Sequence, residues 1–137
     1  FMHAYTNSAH PTASAVGLRN LQIFEDEGLL ANAQAMGDRL GEGLKANLGR
    51  HPHVTNLRWL ALIAGFTLVR DAATNTPYDA SETVAIKVQR HMREEGSLIT
   101  RVVGDNVLFA PPLSVNAAEV DQIVASATAA VRAVTGA

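Results

Sequence analysis

The 137 residues contain no cysteine, which excludes disulfides and thiolate metal sites. Charge of one sign is also missing: 11 Lys and Arg stand against 13 Asp and Glu, a net charge of −2. That balance gives no electrostatic basis for binding nucleic acid or an anionic membrane. No apolar run approaches the roughly 20 residues of a membrane helix, and no signal peptide is visible at the start. A cytoplasmic protein is expected. Aromatic residues make up only 5%. The lysines are only two, Lys45 and Lys87, and both fall outside the apolar stripes of amphipathic helices. A Schiff-base lysine should be desolvated or set among other cations, so both read as solvated. Gly-x-Ser-x-Gly, the phosphate-loop motif and the dinucleotide fingerprint are all absent.

What is present suits one ordinary domain. Hydrophobic residues are 47% and charged residues 18%, enough for a packed core and against disorder. Phe1 precedes Met2, and residues 1–11 are an irregular loop rich in His, Tyr, Thr, Asn and Pro. The chain is therefore expected to be a piece of something larger. Pro11 suits the first turn of a helix over 12–27. The first half of that helix is small side chains, a surface for close approach by a partner. A second helix spans 29–48, with Leu30, Ala33, Gly37, Leu40, Leu44 and Leu48 in one stripe. Gly37, Gly41 and Gly43 within it imply either tight packing or a soft helix.

His51-Pro52-His53 reads as a turn. A short strand follows over Val54–Leu57, then a longer apolar strand over Trp59–Val69, central and at least partly covered on both faces. Asp79 and Glu82 form a capping box for a helix over 80–95, and Asn116 and Glu119 one for a helix over 116–134. Between these helices, Leu98–Leu113 reads as two strands around a Gly104-Asp105-Asn106 turn, ended by a double proline. The expected fold is α+β: a two-layer sandwich in which helices 29–48, 80–95 and 116–134 cover one face of a small antiparallel sheet. Helix 12–27 is expected to serve as an N-terminal bridge to another domain. The expected division is residues 1–27, a loop and bridging helix, and 28–137, a small domain.

Two places suggest chemistry. Arg101 is a lone guanidinium among apolar strand residues and needs an acidic partner or an anionic ligand. Tyr5-Thr6-Asn7-Ser8 offers hydroxyls and backbone N–H groups before a helix N-terminus, a combination that holds a phosphate or simply caps a polar loop. The five histidines, His3, His10, His51, His53 and His91, lack converging ligand spacing and read as surface or loop residues.

Three ordered stretches resemble one family. His3-Ala4-Tyr5-Thr6-Asn7-Ser8-Ala9-His10-Pro11 resembles HG-x-TYSGHP. Leu57-Arg58-Trp59-Leu60-Ala61-Leu62-Ile63 resembles VRG-x-GLI. Leu98-Ile99-Thr100-Arg101, Gly104-Asp105 and Ala110-Pro111-Pro112-Leu113 resemble LI-x-R…GD…PPL. Nearly end to end, the chain is similar to the C-terminal part of class III, pyridoxal-phosphate-dependent aminotransferases, of the ω-amine:pyruvate type. The resemblance implies the C-terminal small domain of a fold-type I enzyme. It implies that Arg101 binds a substrate carboxylate and swings away for an uncharged amine. Tyr5 and Thr6 would contact the cofactor phosphate across a homodimer interface. The ornithine-aminotransferase branch instead carries arginine directly before the FAPPL stretch, where this chain has Leu108. The cofactor-binding lysine belongs upstream of this segment and neither lysine here matches it, so the chain by itself is expected to be inactive. Expected partners are the missing large domain, a homodimer partner, and a small amine and oxo acid. A non-catalytic α+β interaction module is the alternative. Ala4 and Ala9 replace glycines, Asn7 a tyrosine, and Trp59 and Ala61 the strand-entry glycines; these departures bear on substrate more than on fold.

Overall fold

The computed structural model describes residues 5–137; His3 and Ala4 lie outside them. Helix α1 (Pro11–Asp26) is followed by α2 (Leu29–Leu48), strands β1 (Val54–Leu60) and β2 (Ile63–Leu68), and a 3-10 turn (Ala80–Glu82). Then come α3 (Val84–Glu94), β3 (Arg101–Val103), β4 (Asn106–Phe109) and α4 (Ala117–Thr135). The four strands form one antiparallel sheet in the order β1-β2-β4-β3. This is the expected α+β fold: three helices cover one sheet face, with α4 packed on both α2 and α3.

The core follows from two periodicities. On the sheet, alternation turns Ala64, Phe66 and Leu68 of β2 and Val107 and Phe109 of β4 toward the helices, and all are buried. On α2 and α4, residues three and four apart bury Leu40, Leu44 and Leu48 against Val120, Ile123, Val124, Ala127 and Val131. Gly37, Gly41 and Gly43 mean tight packing. A Cβ on Gly37 would lie 2.2 Å from the backbone of Ala61, and one on Gly41 2.1 Å from the Trp59 ring.

The expected long strand over Trp59–Val69 is instead two strands. Trp59 and Leu60 end β1, pairing with Ala64 and Ile63 across a two-residue turn. Ala61 makes that turn at φ +47°, a conformation natural to glycine. The apolar sequence hid the turn because alanine stands at the glycine position. Two further boundaries move. Leu98 and Ile99 precede β3 rather than belonging to it, and Asn106 starts β4 instead of sitting in the turn. The Asp79–Glu82 box is formed but closes only the 3-10 turn; Thr83, at φ +48°, resets the chain before α3 begins. The Asn116–Glu119 box caps α4 as expected. Helix α1 packs on α2 but buries no residue.

Candidate functional site around Arg101

Arg101 opens β3, opposite Leu108 of β4. Its backbone is fixed by the residue before it: the Thr100 hydroxyl donates to the Leu108 carbonyl, and the Thr100 carbonyl accepts from Gln89 Nε2 at 2.7 Å. Nothing in the sequence marked Gln89, because a helix side chain reaching a strand entry leaves no local pattern. The Arg101 side chain itself is exposed. The ion pairs among the described residues join Arg19 to Asp26, Arg39 to Asp121 and Arg70 to Glu82; Arg101 has none. Of the two fates open to this guanidinium, the carboxylate partner is not the one taken among the described residues.

Arg101 borders a groove of about 730 Å³ between the strand ends and the start of α4. The walls are mainly apolar, with Leu98, Ile99, Leu108 and Phe109 beside Pro111 and Pro112. Glu119 also faces it, but its carboxylate accepts the Asn116 N–H at 2.9 Å to close the α4 cap. The groove thus offers an uncommitted cation beside apolar surface. That suits a small organic acid, because a guanidinium holds a carboxylate with two parallel hydrogen bonds.

Tyr5 and Thr6 lie in the turn before α1, both exposed. The Tyr5 N–H donates to Ser8 Oγ at 2.8 Å and the Tyr5 carbonyl accepts the Ser8 N–H at 2.9 Å. His10 caps α1, accepting the Ala13 N–H at Nδ1. Ser8 and His10 are thereby used locally, and the Thr6 hydroxyl is left with no partner among the described residues. Ala9 sits at φ +57°, so two of the alanine departures, Ala9 and Ala61, occupy left-handed backbone where the family motif has glycine. Neither Tyr5 nor Thr6 lines the Arg101 groove; the fold does not bring the two candidate regions together.

Lys45 and Lys87 are both exposed on helices. The Thr6 turn offers a hydroxyl and backbone N–H groups, donor types that a phosphate takes, whereas the pyridoxal aldehyde needs a desolvated amine that neither lysine provides. No His, Asp or Glu cluster suited to a metal exists among the described residues. His51 lies in the loop between α2 and β1, within the surface-or-loop expectation, but not at the surface. It is buried, its Nε2 lies 3.3 Å from the Ala137 carbonyl oxygen, and its ring centroid is 5.8 Å from that of His53. Burial holds its imidazole pKa below the usual value. No helix among the described residues is long and apolar enough to cross a membrane.

The profile of the family "Aminotransferase class-III" matches residues 2–131. The chain is 40% identical over 137 residues to a diaminobutyrate–2-oxoglutarate transaminase of Halomonas elongata, covering 98% of this chain and 29% of that protein. It is 34% identical over 135 residues to an adenosylmethionine-8-amino-7-oxononanoate aminotransferase of Nitratidesulfovibrio vulgaris, covering 98% and 24%. Among solved structures, an ω-transaminase of Pseudomonas jessenii in complex with PMP superposes with a TM-score of 0.88 at 41% identity, covering 98% of this chain and 29% of that one. A transaminase from the marine bacterium Virgibacillus gives 0.90 at 36%, covering 99% and 31%. The chain spans less than a third of the length of these relatives. It belongs to the class-III aminotransferases.

Proposed function

We propose that this chain is the C-terminal substrate-recognising part of a pyridoxal-phosphate-dependent transaminase that moves an amino group between an amine or amino acid and an oxo acid such as pyruvate. The observation that carries the reading is Arg101: exposed, without an ion pair among the described residues and at the mouth of an apolar groove. Bound cofactor supplies the electron sink for the carbon that exchanges its amino group. Arg101 holds the carboxylate of the acid substrate and moves aside for an uncharged one. Tyr5 and Thr6 serve the phosphate of a homodimer partner's site. Residues 1–27 bridge to a large domain that supplies the lysine, 28–137 form the small domain, and the enzyme works in the cytoplasm.

The register supports Arg101. Leu108, the position that holds arginine in the ornithine branch, is its direct cross-strand partner. Paired residues in an antiparallel sheet face the same side, so either position presents a guanidinium to the same space. Arg101→Ala in the full-length enzyme should lower kcat/KM for pyruvate by about 10- to 100-fold, the worth of a charged hydrogen-bonded pair. Turnover of an aldehyde acceptor should change little. Adding Leu108→Arg should recover part of the pyruvate activity. Equal losses with both acceptors would refute the carboxylate role.

A second reading, a non-catalytic interaction module, draws on α1, whose Val16, Leu18 and Leu21 are all at least 60% exposed. Treating the 137-residue chain with pyridoxal phosphate and borohydride separates the two. Specific labelling of Lys45 or Lys87 would show that the chain carries its own cofactor lysine.

A further inference from the structure

Arg101 starts a strand of only three residues at the edge of the sheet, paired on one side with β4. An edge strand has ladder bonds on that side alone, so its first residue is weakly held by the sheet. The segment that leads into it is tied from elsewhere. The Ser126 hydroxyl of α4 donates to the Gly96 carbonyl at 3.1 Å, and the Leu98 N–H donates to the Met92 carbonyl at 2.9 Å. Between these ties Ser97 turns at φ +50°. Beyond Leu98 the chain is held at Thr100, and from two directions. The Thr100 hydroxyl donates to the carbonyl of Leu108, the cross-strand partner of Arg101. Its carbonyl accepts from Gln89 Nε2 of α3 at 2.7 Å.

Gln89 is free for this task. Helix α3 buries Val84, Ala85, Val88 and Met92, a stripe that leaves position 89 out. Gln89 and Thr100 are both half-buried, and a hydrogen bond sheltered from water holds more firmly than an open one. Thr100 lines the groove beside Arg101, and Gln89 does not. Whatever Gln89 does at that groove it therefore does through Thr100. As a neutral donor it adds no carboxylate to compete for the guanidinium.

We infer that Gln89 is a positioning residue for acid substrates: through Thr100 it fixes the backbone from which Arg101 reaches. The inference rests on the proposed carboxylate role of Arg101. Two parallel hydrogen bonds to a carboxylate require both N–H groups in line, and a binding group must be held within about 0.5 Å of its productive place. The arginine side chain is long, so a small tilt at its Cα becomes a larger displacement at the fork. An acceptor without a carboxylate makes no use of that fork and is indifferent to the tilt.

The test uses the full-length enzyme with pyruvate and with an aldehyde acceptor. Gln89→Met keeps the side-chain length and removes the donor. It should raise KM for pyruvate about threefold to tenfold, the worth of one hydrogen bond. The kcat with pyruvate and both constants with the aldehyde should stay within about twofold, the signature of lost substrate binding. Thr100→Val, which removes the other tie, should give the same split, and Thr100→Ser, which keeps the hydroxyl, should largely restore pyruvate binding. In an Arg101→Ala background, Gln89→Met should cost pyruvate nothing further. Equal losses with both acceptors would make Gln89 a structural residue and overturn the inference. So would an unchanged KM for pyruvate in Gln89→Met while Arg101→Ala still loses pyruvate selectively. If Arg101→Ala itself spares pyruvate, or harms both acceptors alike, the carboxylate role fails and the inference goes with it.

Discussion

Trp59 and Gly41 are one packing unit. The indole of Trp59 lies where any side chain on Gly41 would go, so the loss of a glycine in the strand is matched by a glycine in the helix. Gly41→Ala should destabilise the chain by about 1–3 kcal/mol through overpacking. In a Trp59→Gly background the same change should be neutral or favourable, because alanine is the better helix former by up to about 1 kcal/mol. A urea double-mutant cycle measures this coupling; equal costs in both backgrounds would show that the contact does not hold the helix against the strand. His51 sets a pH dependence at the same scale. Its folded pKa lies below 6.5, first through burial. As pH falls through 6.5 the unfolded chain binds the proton first, so stability is complete above that value and declines below it. His51→Gln should flatten the difference in denaturation midpoint between about pH 7.5 and about pH 5.5. The depressed carboxyl of Asp121, hydrogen-bonded to Arg39, acts in another window: its contribution is present above 3.8 and lost as pH falls through its lower folded pKa.

At the scale of elements, two capping boxes of one sequence type do different work. Asn116 accepts the Glu119 N–H at 3.0 Å and begins a 19-residue helix at the centre of the core. Asp79 closes three residues of 3-10 turn, after which Thr83 breaks the path. Asn116→Ala should cost about 1 kcal/mol, and Asp79→Ala should cost less, as read from thermal midpoints of the single variants. A larger effect at Asp79 would mean that the 3-10 turn nucleates α3. The caps were legible in sequence because they depend on residues three apart. The helix start at Val84 was not, since a left-handed threonine carries no signal. The β1–β2 turn was hidden for the same reason: with alanine at Ala61, nothing interrupted the apolar run. Around Arg101 the sequence showed the guanidinium, and only strand pairing showed that Leu108 is its partner across β3–β4.

For the whole molecule, the helices protect one sheet face and leave the other open. Leu60, Ile63 and Ile99 are 80%, 68% and 86% exposed, an apolar rim around the candidate site, in a chain spanning under a third of its relatives' length. Because α1 buries nothing, removing residues 1–27 should leave a cooperative unfolding transition with a loss under about 1 kcal/mol, the range of surface changes. A loss above about 3 kcal/mol in urea denaturation would place α1 inside the domain and move the proposed boundary.

By itself the sequence determined the helices, the antiparallel sheet, the covered face and the family, because caps, apolar periods and ordered motifs are local properties that survive without coordinates. Tertiary structure alone decided where the strands break, which residue faces Arg101, that Gly41 makes room for Trp59, and that His51 is buried. Each of these depends on what approaches from a distant part of the chain, and a single sequence does not record distance in space.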